Sequence, residues 1–449
     1  MNNKRMLSRR EFLRSLAVVT GATAVASCVP PPTPQVVKET VEVEKVVTAT
    51  PEPVAKEPVN IRFMGWMLAE TFAAEKMQEI IDIFQEENPD ITVEPIGVQF
   101  YDMRQRTTTM VGAGDPPDVF QSYIIWTPAW AKMGAIEVLD QYMPASWQSD
   151  LMNLKNGQVD GVQYAVTHSP GVEVFFYNKT VFGQAGLDPN TPPATWDEFA
   201  ADVEKISELP DVVGLAQTTQ KEPSSFYWWL PYLWGFGGDL WDDKMNVILN
   251  NEAGVQWATW AKEWADKEYM SSGIDGFTMR QVFGQNRAGF ILDGPWLKGQ
   301  LREISGKGEA YDEEWGMSML PAGPGADQPW LATADHQLAI ATQSPNKEAA
   351  WKFVEFLLRK DSAAKYYQDL GMSPSMKSTY DNPVFADDPY IQAFLQAADY
   401  VRPFNFGPEW PVVSDFWMQA LQEVLNGRDP QEALSAAKTN IETVVPPMA

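Results

Sequence analysis

Residues 59–93, VNIRFMGWMLAETFAAEKMQEIIDIFQEENPDITV, decide the fold class. Val59, Ile61 and Phe63 alternate with Asn60 and Arg62, the period of two that predicts a strand. From Ala69 to Glu86 the apolar residues Phe72, Met77, Ile80, Ile81 and Phe84 recur at helical spacing. Asn88-Pro89 then stops the helix before a second strand at Ile91-Thr92-Val93. A helix over 101–111, the turn GAGDPPD and the apolar Asp118-Val119-Phe120 continue this β-α-β opening. The alternation predicts an α/β lobe with a largely parallel sheet, whose ligand-facing positions lie at strand ends.

Working outward, about 390 residues follow position 58 in the 449-residue chain, which is too long for one core and suits two lobes. Tyr164-Ala165-Val166 and the run Val172 to Tyr177 read as strands broken by Ser169-Pro170-Gly171, as a crossing between lobes would be. Thr195 caps an amphipathic helix over 196–206 that carries Trp196, Phe199, Val203 and Ile206 on one face. The stretch PSSFYWWLPYLWGFGGDLW, residues 223–241, has neither helical nor strand period, and exposed it would be a binding surface. Further helices are expected at 255–269, 280–286, 346–358, 415–426 and 430–443. Extended segments are expected at 288–292, which ends in the turn Asp293-Gly294-Pro295-Trp296 and aims Trp296 outward, and at 337–340. No internal repeat is visible.

The first thirty residues read as an address. Ser8-Arg9-Arg10-Glu11-Phe12-Leu13 resembles a Tat signal, and the uncharged run 15–27 is too short for a stable bilayer span. Ala26-Ser27 before Cys28, the single cysteine of the chain, resembles a lipobox. The expectation is a signal peptide over 1–27 and an acylated Cys28. A Pro-, Val-, Thr- and Glu-rich tether over 28–58 would reach at most about 100 Å.

The formal charge is −26. Cleavage after Ser27 removes five basic residues and one acidic residue, leaving 29 basic and 59 acidic and a charge of −30. So acidic a surface repels phosphate backbones and anionic headgroups, so no nucleic-acid partner is expected and membrane association rests on the lipid. With one cysteine and two histidines, thiolate and histidine-rich metal sites are excluded, and no cofactor is expected. Aromatic residues make up 12% of the chain, 18 of them Trp, which suits both cores and sugar-stacking walls.

Several segments, in order, resemble the extracellular solute-binding proteins of carbohydrate ABC transporters, the family that includes maltose-binding protein. They are GAGDPPDVF (112–120), FFYNKTVFGQAGLDPNTPPATWDEF (175–199), GQNRAGFILDGPW (284–296), WGMSMLPAGPG (315–325), SPNKEAAWKFVEFLL (344–358), GMSPS (371–375) and GRDPQEALSAAKTNIE (427–442). The resemblance implies a two-lobed, periplasmic-binding-protein type II-like α/β fold with three hinge crossings and a ligand cleft between the lobes. It places lobe one at 59–168 plus 338–400 and lobe two at 172–333 plus 404–449. It implies a monomer that captures a carbohydrate, an oligosaccharide above all, by hinge closure and delivers it to an ABC permease without catalysis.

The same resemblance nominates the site. Trp296 matches a sugar-stacking position, and Asp293 is either an acceptor beside it or a turn cap. Trp66, Gln121, Ser122 and Tyr123 follow the first and third strands, at the cleft edge. Among Tyr227, Trp228 and Trp234 at least one should stack. Trp330, Asp335 and His336 sit at the second crossing, where His336 either donates to a hydroxyl or satisfies backbone. One of Trp410 and Trp417 should face the cleft. Arg402 would admit an anionic group if it pointed inward, which is what a glycerophosphodiester ligand requires. Asp118 is expected to hold its turn. His168 lies near the first crossing without a nucleophile motif. The run Asp239 to Asp243 is read as a solvated acidic turn rather than a calcium loop, and the sequon at Asn178 as coincidental. An exported carbohydrate-active hydrolase is the rival from another class, since a pair of carboxylates suffices for that chemistry.

Overall fold

The computed structural model describes residues 58–222, 224–404 and 407–445. The Tat-like segment, the lipobox cysteine and the tether lie outside the described residues. No described helix is long and apolar enough to cross a membrane.

Two sheets organise the chain. The first runs in the order Ile91–Gly97, Val59–Gly65, Val119–Tyr123, His336–Ile340, Val166–Ser169. Its first three strands are parallel, as the β-α-β opening requires, and helix Thr71–Glu87 packs Ala73, Met77, Ile80, Ile81 and Phe84 inward between them. Pro95 is tolerated because Ile91–Gly97 is an edge strand. Four of the five strands run the same way, as expected of a largely parallel sheet, and one strand departs from it. His336–Ile340 is antiparallel to both neighbours, because it arrives from the other lobe without the crossover helix that parallel pairing needs.

The second sheet has the order Trp315–Ser318, Val174–Asn178, Ala288–Asp293, Val213–Ala216, with only the last pair parallel. Helix Trp196–Ile206 covers it, and a complete capping box between Thr195 and Glu198 fixes that helix's start. Helix Pro389–Ala397, expected in lobe one, packs instead on this second sheet. Its Tyr390 ring lies 6.0 Å from Trp315, and the Tyr390 hydroxyl donates to the Pro295 carbonyl at 2.6 Å.

Between the sheets the chain crosses at three adjacent segments, tied by backbone hydrogen bonds. Glu173 N–H donates to Ala332 (3.1 Å), Ala334 to Gly171 (2.7 Å), Leu331 to Tyr400 (3.0 Å) and Arg402 to Leu331 (3.0 Å). Few residues carry the connection, which is the geometry of a hinge.

The aromatic run at 223–241 is largely core rather than surface. It folds into the short turn Ser225–Trp228 and helix Leu230–Gly235, with Phe226, Trp229, Tyr232 and Trp234 buried. Asp118 has a structural part but not within its own turn: it accepts from Arg62 N–H of the first strand at 2.8 Å and from Ser344 Oγ at 2.5 Å. Asn178 is buried and its amide donates to Asn286 Oδ1 at 2.7 Å, so the folded chain does not present the sequon. Asp242 closes an Asx turn by accepting from the backbone of Lys244 and Asn246, and Asp239 binds Arg402.

Candidate functional site

A cavity of about 620 Å³ opens between the two sheets. From lobe one it is walled by Trp66 just past the first strand, Glu70 and Phe72 around the start of helix Thr71–Glu87, Phe100 and Tyr101, Tyr123 at the end of its strand, and His336 at the start of its own. Lobe two contributes Ser224, Trp228, Asp275, Phe277, Arg280, Trp296, Gln300 and Glu303. Strand ends and helix starts converge here for the topological reason anticipated from the α/β alternation.

Trp296 caps helix Leu297–Ser305 and does not point to solvent. Its indole lies parallel to the His336 imidazole, centroids 4.8 Å apart at 14°. Its Nε1 donates to Asp293 Oδ1 at 2.7 Å. That fully buried carboxylate also accepts two hydrogen bonds from Arg280, from Nε at 2.6 Å and from Nη2 at 3.2 Å. The guanidinium sits over Trp228 (5.6 Å) and Trp296 (5.9 Å). Asp293 is therefore both turn and anchor, one layer behind the cavity wall.

Electrostatics follow from burial. His336 is pushed down to about 3 by desolvation, helped by His168 and Arg280, so its ring is neutral at physiological pH. Glu70 is raised to about 7, chiefly by burial, against the pull of Arg280 and with Glu303 adding to it. Glu173, at the hinge, is held well above the carboxylate range by burial and by Asp293. Four residues that line the cavity carry a buried polar atom without a partner among the described residues: Ser224 Oγ, Trp228 Nε1 and Gln300 Oε1 from lobe two, and His336 Nδ1 from lobe one. Such atoms also occur in the core, at Tyr232 Oη and Trp257 Nε1, so the cavity and its lining rather than these atoms mark the place for a ligand.

Of the residues nominated from sequence, Trp66, Tyr123, Trp228, Trp296 and His336 line this cavity together. The others are placed elsewhere. Gln121 lies beneath Trp66, its Oε1 accepting from Met67 N–H at 3.1 Å. Ser122 points to the opposite face of its strand, 2.8 Å from Thr127 Oγ1. Tyr227 packs under Tyr123 with ring centroids 5.4 Å apart. Asp335 is a hinge hub that accepts from Thr333 Oγ1 (2.6 Å), Asn156 (2.7 Å), Asn153 (3.0 Å) and Gly171 N–H (3.1 Å).

Arg402 turns away from the cavity. It pairs with Asp239 at 2.6 Å and lies over Trp234 and Trp330, neither of which lines the cavity. Trp234, Trp410 and Trp417 are core residues: Trp410 meets Phe226 at 4.7 Å and Trp417 meets Trp257 at 5.9 Å. Their sequence neighbourhood is correct, but helical periodicity turns these faces inward. Sequence reasoning missed Glu70, Tyr101, Arg280 and Gln300. The Asp275 N-cap that starts helix Gly276–Gly284 early enough to place Arg280 mid-helix was a legible signal.

The sequence profile of the family described as bacterial extracellular solute-binding protein matches residues 69–364. The chain belongs to that family. This solute-binding protein is 26% identical to a binding protein of Brucella abortus strain 2308 over 377 residues, covering 82% of this chain and 89% of the relative. It is 24% identical to the maltotriose-binding protein of Pyrococcus abyssi, covering 76% and 72% respectively. It is also 24% identical to the sn-glycerol-3-phosphate-binding periplasmic protein of Escherichia coli K12, covering 70% and 74%. In three dimensions it resembles the acarbose-binding GacH receptor of Streptomyces glaucescens, with a TM-score of 0.77, 22% identity and coverage of 86% and 98%. That likeness establishes the two-lobed fold.

Proposed function

We propose that this solute-binding protein captures a carbohydrate, with an oligosaccharide the best fit, in the interlobe cavity and presents the closed form to an ABC permease. The observation that carries the reading is a cavity between the lobes whose lining pairs aromatic rings with polar side chains. The exposed rings of Tyr101 and Phe277, together with Trp228 and Trp296, suit the apolar C–H faces of a pyranose, while Gln99, Gln281 and Glu303 can bind its hydroxyls. A cavity of about 620 Å³ holds two or three sugar rings. The maltotriose-binding relative supports the same class.

Closure is a shift between open and closed populations, driven by contacts that only the closed form makes with solute. Acylation of Cys28 would keep the monomer on the outer face of the membrane, at the end of its tether. The alternative of a glycerophosphodiester or another polar organic solute needed Arg402 in the cleft, and that side chain is engaged with Asp239. Arg280 does reach the cavity, but Asp293 already neutralises it.

A thermal-shift panel tests the reading, since a ligand selective for the native state stabilises it by RT ln(1 + [L]/Kd). Saturable stabilisation by a saccharide is expected, without product after prolonged incubation. Stabilisation by glycerol phosphates alone would replace carbohydrate with an anionic solute, and release of shortened saccharide would favour the hydrolase.

A further inference from the structure

The cavity lining is lopsided in charge. Glu70, Asp102, Asp275 and Glu303 place four carboxylates around it, against the single cation Arg280. Arg280 offsets them only in part, since its Nε and Nη2 are both committed to the buried Asp293. Interleaved with the carboxylates are the rings of Trp66, Phe72, Phe100, Tyr101, Trp228 and Phe277. Two of these rings are more exposed than a core would allow, Tyr101 at 41% and Phe277 at 54%.

A neutral polyol would leave this arrangement unbalanced. Closing the cleft strips water from carboxylates, and hydroxyl groups compensate that loss only partly. Burial, with Glu303 adding to it, holds the Glu70 carboxyl up to about 7, so at pH 6.5 a cation seated beside it must draw it into its charged form. An anion would meet the same carboxylates and find one already neutralised guanidinium. An ammonium group answers both halves of the lining, because the negative ring faces attract it and the carboxylates accept its N–H bonds.

The amides in the lining constrain the rest of the ligand. Gln99 and Gln281 line the same cavity, and an amide both donates and accepts, so they suit a ligand with hydroxyl groups beside its cationic end. A simple alkylammonium lacks such oxygens, whereas an amino sugar has hydroxyl and ring oxygens two bonds from the carbon that carries its amine.

We propose that the solute is an aminated saccharide whose protonated amine sits beside Glu70 and Glu303, within the aromatic part of the cavity. The proposal rests on the carbohydrate reading above and narrows its substrate class.

Calorimetric titration of the full chain at pH 6.5 tests it with a glucosamine trisaccharide, its fully N-acetylated counterpart, maltotriose and glucosamine 6-phosphate. The aminated trisaccharide should bind at least tenfold more tightly than the acetylated one, and added salt should shrink that ratio. In Glu70→Gln and Glu303→Gln, both at partly solvated positions, the ratio should collapse toward unity while the melting temperature shows the fold intact. Equal or tighter binding of the acetylated trisaccharide or maltotriose, with ratios unmoved in the variants, overturns the amine requirement and leaves the carbohydrate reading standing. Preference for the phosphate ester overturns the charge argument. Failure of every saccharide to bind removes both readings together.

Discussion

Trp296 of lobe two and His336 at the hinge edge of lobe one stack face to face, 4.8 Å between centroids and 14° from parallel. The contact ties the position of a cleft-wall indole to the start of the central strand His336–Ile340. The indole N–H is spent on Asp293, so the ring's orientation is fixed from both sides. Trp296→Phe keeps a ring on His336 but leaves Asp293 one donor short. It should cost about 1 to 3 kcal/mol of stability, read from the urea midpoint at unchanged m-value.

The Arg280–Asp293 pair makes a sharper prediction. Removing one member of a buried ion pair strands the other charge, so Asp293→Ala should destabilise by about 3 to 5 kcal/mol. Replacing both, with Arg280→Met and Asp293→Leu together, should cost less than the single change. Chemical denaturation of the three proteins distinguishes this from simple loss of packing, in which the double variant would be the worst.

Two buried histidines set an acid limit. His168 is lowered to about 4 and His336 to about 3, both mainly by desolvation. Each binds a proton more readily unfolded than folded, so stability is complete above an unfolded value near 6.5 and is lost as the pH falls through the window below it. His168 contributes on the order of 3 kcal/mol across its window and His336 on the order of 5. Glu70, raised to about 7, acts in the opposite direction, its burial favouring the folded state at low pH and ceasing to do so as pH rises from about 4.5 to about 7. Melting curves from pH 7.5 to 4 should therefore show a shallower acid loss for His168→Gln than for the parent, and a parallel curve would refute the assignment.

Core and cavity tryptophans should separate cleanly. Trp417→Ala creates a cavity beside Trp257 and should cost about 3 to 5 kcal/mol while leaving saccharide affinity in the folded protein unchanged. Trp228→Ala should lower saccharide affinity at least tenfold. Calorimetry below the melting temperature of both variants makes the comparison.

How far the sequence could be read depended on range. The strand Val59–Gly65, the helix Thr71–Glu87 and the capped helix Trp196–Ile206 follow from local periodicity and end signals, and those elements stand within two residues of expectation. Periodicity says nothing of strand direction after a crossing, so the antiparallel entry of His336–Ile340 was not legible. Nor was the packing of helix Pro389–Ala397 on the second sheet. At the site, Trp296 and Tyr123 were reached because they end strands. Trp410 and Trp417 were drawn in by their residue type, and burial against other aromatics decides otherwise. The Asp275 cap announced the helix that carries Arg280, but the approach of Arg280 to Asp293 and of Glu70 to Glu303 is tertiary, and no spacing in the chain encodes it.

The central claim, that solute is held between the lobes, is tested most directly by hydrogen exchange with and without a saturating saccharide. The account predicts simultaneous slowing at Trp66–Phe72 in lobe one, Gly294–Glu303 in lobe two and the crossing at 331–336. Protection confined to one lobe, or found only at a separate surface groove lined by Trp196, Phe236 and Trp260, would contradict it.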